Sequence, residues 1–111
     1  MTISEQLAER IRGLVALDPR VTEKRMFGGI CFLLDGRILI CVRRAGSLLV
    51  QCGAAAATEA IGQPGVTPMI MAGRPQPNFI DVADDSLESD DRLRHWIEVA
   101  ERYVAGLPPK R

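Results

Sequence analysis

A glycine pair, a short apolar run and then Asp-Gly constrain this chain more than any other stretch. In Arg25-Met26-Phe27-Gly28-Gly29-Ile30-Cys31-Phe32-Leu33-Leu34-Asp35-Gly36-Arg37 the order reads as a bend, a strand, a two-residue turn and a returning strand. Glycine accepts the positive φ angles that a tight bend needs, and Asp-Gly accepts those of a type I′ hairpin turn. A chain built on such a hairpin is committed to a sheet, and the remaining segments must supply what covers it.

Helical spacing marks those segments. Ile3, Leu7, Ile11, Leu14 and Val15 predict a first helix over 4–17, ended by Asp18-Pro19, because the residue before proline is pushed out of the α region. Thr2 and Glu5 have capping-box spacing, and Ser4 and Ser89 read as helix caps. A stripe running from Leu93 through Trp96, Ala100 and Val104 to Leu107 predicts a last helix, with Asp90 and Asp91 in its first turn and Gly106 and Pro108-Pro109 as its stop. Residues 54–61 read as a short helix closed by Gly62. Strands are expected at 30–34, 37–43, 48–52, 67–71 and 78–82, with 21–27 extended or irregular. The segment 72–77 holds two prolines and reads as a loop or an edge. The order α-β-β-β-α-β-β-α is that of an α+β fold: two layers, with helices on one face of a mostly antiparallel sheet, in one domain spanning 1–111.

Counting outward from the turns assigns the faces. If Leu34 opposes Arg37, then Phe32 opposes Leu39 and Ile30 opposes Cys41; from the next turn, Arg43 opposes Leu48 and Cys41 opposes Val50. One face then carries Ile30, Phe32, Leu34, Leu39, Cys41, Leu48, Val50 and Cys52, and the other Cys31, Leu33, Ile38, Ile40, Val42 and Leu49. Both are apolar. Helices can cover one, and another subunit is the simple cover for part of the other, so a homodimer is expected.

Fourteen basic residues balance fourteen acidic ones, which argues against a basic nucleic-acid module. No apolar run approaches the roughly 20 residues that cross a bilayer, and the N-terminus lacks the pattern of a signal peptide. Cys31, Cys41 and Cys52 are an odd number with no CxxC spacing, which fits a reducing compartment, and a cytoplasmic location follows.

At this point the motifs resemble a known family. Thr22 to Gly29, the Asp35-Gly36 turn, Gly73-Arg74-Pro75 and Leu107-Pro108-Pro109-Lys110 together look like the N-terminal domain of the TfoX/Sxy family. The resemblance implies an α+β fold similar to secretion chaperones, of order helix, three strands, helix, two strands, helix. The name-giving members regulate natural competence for DNA uptake and are thought to act with the cyclic-AMP receptor protein. They also carry a C-terminal helical domain, which this sequence is not expected to have. A non-enzymatic regulatory or protein-interaction module is the reading this supports, with a transcription-regulatory protein as a further partner.

The candidate chemistry is sparse. Gly28-Gly29 could bind an anion through backbone amides, but no GK[ST] or GxGxxG pattern accompanies it, and a bend into a strand accounts for it. Arg25 and Arg74 flank the two family loops and, with Gly28 and Gly29, are the candidate contacts for a partner or an anionic ligand; such a ligand-binding domain, or an unrecognised enzyme, is the alternative. Ion pairing to the acidic run of Asp81, Asp84, Asp85, Glu88, Asp90 and Asp91 is the plain reading of the arginines, and a solvated edge that of the acids. The cysteines read as small buried apolar residues, with Cys41 and Cys52 on one face, and His95 as a helix residue without a catalytic partner. No catalytic residue, metal or cofactor is expected, and direct nucleic-acid or membrane binding is not.

Overall fold

The computed structural model describes residues 2–26 and 28–108. Phe27 and the Pro109-Lys110 end of the family motif lie outside the described residues. Along the chain come α1 (Ile3–Leu14), β1 (Val21–Met26), β2 (Gly29–Leu34), β3 (Arg37–Val42), β4 (Leu48–Gln51), α2 (Ala54–Ala60), β5 (Val66–Met71), β6 (Arg74–Val82), a 3₁₀ turn at Asp84–Ser86 and α3 (Asp90–Val104). The strands form one antiparallel sheet in the order β1-β2-β3-β4-β6-β5. α1 lies over β2 and β3, α3 over β3 and β4, and α2 against β6. This is the expected α+β architecture with one strand more.

The added strand is β1. Its sequence, Val21-Thr22-Glu23-Lys24-Arg25-Met26, shows no apolar alternation because it is a sheet edge with four consecutive exposed residues. β6 decides between the two readings of 72–77, a loop or an edge, in favour of the edge. It starts at Arg74 and contains both prolines, which is tolerated because β4 ends at Gln51 and the first half of β6 has only β5 beside it. The turn shrinks to Ala72-Gly73, with φ of 52° and 75°.

α1 is shorter than its apolar spacing suggested. Val15 closes it by donating its backbone N–H to the Ile11 carbonyl at 3.0 Å, and Leu17 is 98% exposed, so no burial rewards a further turn. Its cap is Thr2, whose Oγ1 accepts the Glu5 N–H at 3.2 Å; Ser4 lies inside the helix. Ser89 does cap α3, accepting the Arg92 N–H at 3.1 Å.

The largest departure is a β-bulge. Asp35 and Gly36 take φ of 51° and 83°, the type I′ turn expected, and Leu34 faces Arg37 and Leu33 faces Ile38. Phe32 then faces Ile40, so Leu39 is an extra residue on β3 and every later pair shifts by one. Cys31 opposes Cys41, Ile30 opposes Val42, and in the next ladder Val42 opposes Leu48 and Cys41 opposes Leu49. The face assignment from plain turn counting is therefore corrected. Ile40 and Val42 join Phe32, Leu39, Leu48 and Val50 in the core under the helices, where Trp96, Ile11 and Leu93 complete the packing. Cys41 turns to the opposite face, beside Cys31 and Leu49.

The glycine pair that launches the hairpin divides its labour. Gly28 has φ of 73°, which a side chain resists, whereas a Cβ on Gly29 would run into the carbonyl oxygen of Val42 on the neighbouring strand. Gly29→Ala is expected to destabilise the protein by about 1–3 kcal/mol in chemical denaturation. Gly13→Ala, in α1, where nothing lies within 4 Å of the added carbon, is expected to stabilise it by about 0.5–1 kcal/mol.

Candidate functional site

The face away from the helices is where unassigned chemistry collects. Cys31, Cys41, Leu49 and Met69 are buried there, ringed by half-buried Met26, Leu33, Ile38 and Phe79, and no helical residue belongs to this cluster. A cavity of about 80 Å³ opens among Met26, Cys31, Cys41, Leu49, Met69 and Met71. β1 and β5 are the two edges of the sheet, yet Met26 of one and Met69 and Met71 of the other line the same cavity. The sheet must therefore curve over this face, as the twist of a six-stranded sheet allows. Part of the cover expected from a second subunit comes from the sheet itself.

Five of the cavity's lining side chains carry sulfur. Cys31 and Cys41, opposed across β2 and β3 with Cα atoms 4.0 Å apart, are joined as a disulfide. This corrects the reading of all three cysteines as isolated apolar residues. It also separates Cys41 from Cys52, which packs in the helix-side core. Burial pushes the Cys52 thiol up, which keeps it protonated at neutral pH. Counting out from Asp35-Gly36 leaves Cys31 one residue short of facing Cys41; the bulge at Leu39 aligns them, and no local sequence signal announces that bulge.

One charged pair borders the cavity. Arg43, on its wall, holds Asp81 Oδ2 at 3.0 Å, while Asp81 Oδ1 is buried with no hydrogen-bond partner among the described residues. Arg43 makes the ion pair to the acidic run that is the plain reading of the arginines, whereas Arg25 and Arg74 make no ion pair among the described residues. Arg10 pairs with Asp90 at 3.0 Å, Arg12 with Glu23 at 2.8 Å, Arg94 with Asp91 at 3.2 Å, and Arg20 with both Asp18 and Glu101.

The candidate anion contacts do not form one constellation. Arg25 pairs in register with Ile30, which directs it to the helix side, where it lines a groove with Glu5, Glu9 and Arg12. Arg74 opens β6, with β2, β3 and β4 between its strand and that of Arg25. Gly28 sits beside the Arg44 guanidinium, and Gly29 is closed off by Val42. His95 is exposed and stacks edge-on against Trp96, ring centroids 4.8 Å apart. Among the described residues no three His, Cys, Asp or Glu side chains converge as a metal site. No helix there is long and apolar enough to cross a membrane.

With the hairpin, the two glycine turns and the helix order in place, the comparison with known families is decisive. The model of the TfoX N-terminal domain matches residues 13–103. This chain belongs to the TfoX N-terminal domain family. The match takes in residues 22–29, the Asp35-Gly36 turn and Gly73-Arg74-Pro75, and stops short of Leu107-Pro108-Pro109-Lys110. No curated protein and no solved structure matches the chain.

The ties between this TfoX-type sheet and its helices have a definite pH response. The Arg12 guanidinium holds Glu23 below the usual carboxylate range, chiefly by hydrogen bonding, and so links α1 to β1. A carboxylate depressed in the folded state adds stability above its unfolded pKa of about 4, and that contribution is lost as pH falls through the folded value. Thermal unfolding followed from neutral to acid pH is expected to show the midpoint falling below about pH 4, with Glu23→Gln flattening part of the fall.

Proposed function

We propose that this TfoX-type domain is a non-enzymatic regulatory module of the cytoplasm that works by protein contact, its helix-free sheet face holding a second copy of the chain. The observation that carries the reading is the half-buried apolar ring of Met26, Leu33, Ile38 and Phe79 around a buried floor. Such a ring is neither core nor solvated surface, and further cover would remove more apolar area from water. Met71 stands on its rim with 46% of its surface exposed.

The sheet edges suit association less well. β1 presents Glu23-Lys24-Arg25, and β5 carries Pro68 at an irregularity in its pairing, both features that discourage strand addition. Charge favours face-to-face contact. Lys24 pairs with Cys31 in the ladder, which puts it on the helix-free face, and it makes no ion pair among the described residues. Asp81, its side chain 23% exposed, shares that face opposite Leu49. A two-fold arrangement can set each copy's Lys24 against the other's Asp81 carboxylate. A transcription-regulatory protein is the further partner that the family suggests.

Size-exclusion chromatography with light scattering is expected to give a dimer at micromolar concentration. Met71→Glu, at an exposed position, is expected to give a monomer with an unchanged circular dichroism spectrum. A wild-type protein that runs as a monomer throughout that range would overturn the self-association.

A further inference from the structure

We infer that Cys31 and Cys41 form a reversible thiol–disulfide site, which a small disulfide of the glutathione class oxidises and a small dithiol reopens. The site lies on the face that self-association covers, so the exchange takes place on the dissociated chain, and the Met71→Glu protein is tested beside the wild type.

Three observations carry it. First, the pair is placed by the bulge: the extra residue at Leu39 turns Cys41 out of the helix-side core and sets it against Cys31 on the adjacent strand. Second, the crosslink is not what holds the fold. It ties β2 to β3, strands already joined by a tight turn and a full ladder, and the large buried side chains Trp96, Phe32 and Ile11 lie in the other cluster. Opening it leaves that core intact, so both redox states can be folded. Third, the pair has a way in. Both cysteines line the cavity, Cys41 at 5% exposure and Cys31 at 1%. Three of the cavity's other seven lining residues are Met26, Met69 and Met71, unbranched side chains that repack easily, and Met71 stands half in solvent. Cys52, equally buried at 4% exposure, provides an internal contrast because it lies in the helix-side core, does not line this cavity and has no cysteine bonded to it.

The chemistry balances in two exchanges. The thiolate of Cys41, the more exposed residue, attacks one sulfur of the oxidant's disulfide. One thiolate of the oxidant leaves, and a mixed disulfide remains on Cys41. The Cys31 thiolate then attacks the Cys41 sulfur, forms the intramolecular bond and expels the second thiolate. Two electrons pass from the protein to the oxidant, and the two protons lost by the cysteines end on the two released thiols.

The test exposes fully reduced native protein to oxidised glutathione, quenches in acid, unfolds, alkylates and maps the peptides. The expected result is loss of alkylation at Cys31 and Cys41, with their peptides linked, while Cys52 stays alkylated. Dithiothreitol added to the native oxidised protein is expected to restore both sites. Cys31→Ser is expected to accumulate a glutathione adduct on Cys41, with much less on Cys31 in Cys41→Ser. Alkylation of Cys31 and Cys41 after oxidant, or a bond that dithiothreitol opens only once the protein is unfolded, would overturn the inference; the wild-type measurement decides it even if a serine variant fails to fold. An adduct that forms equally on either single cysteine would overturn the assigned order of attack.

Discussion

One extra residue on β3 governs the rest of this structure. The side-chain period along a strand is two, so inserting Leu39 into the ladder exchanges the faces of everything that follows it until the next turn. Without the bulge, Ile40 and Val42 would stand on the helix-free face and Cys41 under α3. With it, two successive residues, Leu39 and Ile40, both enter the helix-side core, and the hairpin delivers an uninterrupted apolar floor to the helices. The opposite face receives what remains, a smaller set rich in sulfur.

That division explains how a sheet with two apolar faces can be stable with helices on one. The helix side buries the large, stiff side chains that fix a unique packing. The other side is lined by methionines and a cysteine pair and is partly closed by curvature that brings both sheet edges to one cavity. Flexible side chains suit a surface that must be adequate both alone and against a partner. The edges, one charged and one interrupted by proline, direct any association toward the face.

Much of this was legible in the sequence where local chemistry dictates geometry. The Asp35-Gly36 turn, the Ser89 cap, the α3 stripe and the family resemblance of the glycine turns all follow from residue types at fixed spacing. Features decided by strand pairing and by what the core must bury, rather than by residue type, were not legible. β1 is a strand because β2 offers it an edge, not because Glu23-Lys24-Arg25 favours one. Pro75 and Pro77 sit in a strand because β4 stops short of them. The bulge has no signature at Leu39, an ordinary leucine; it follows from the demand that Ile40 and Val42 be buried, and the disulfide and the Arg43–Asp81 pair are its consequences. The anion candidates failed to converge for a related reason: Arg25 and Arg74 flank similar turns at different places in the sheet order.

The register of the β2–β3 ladder is the most direct measurement of this account. Nuclear Overhauser spectra of the protein should show a cross-strand Hα–Hα contact between Cys31 and Cys41, whose Cα atoms are 4.0 Å apart. Amide contacts should pair Phe32 with Ile40 and Ile30 with Val42. Contacts pairing Phe32 with Leu39 and Ile30 with Cys41 would mean a ladder without the bulge, and would contradict the assignment of faces on which the sulfur-lined site depends.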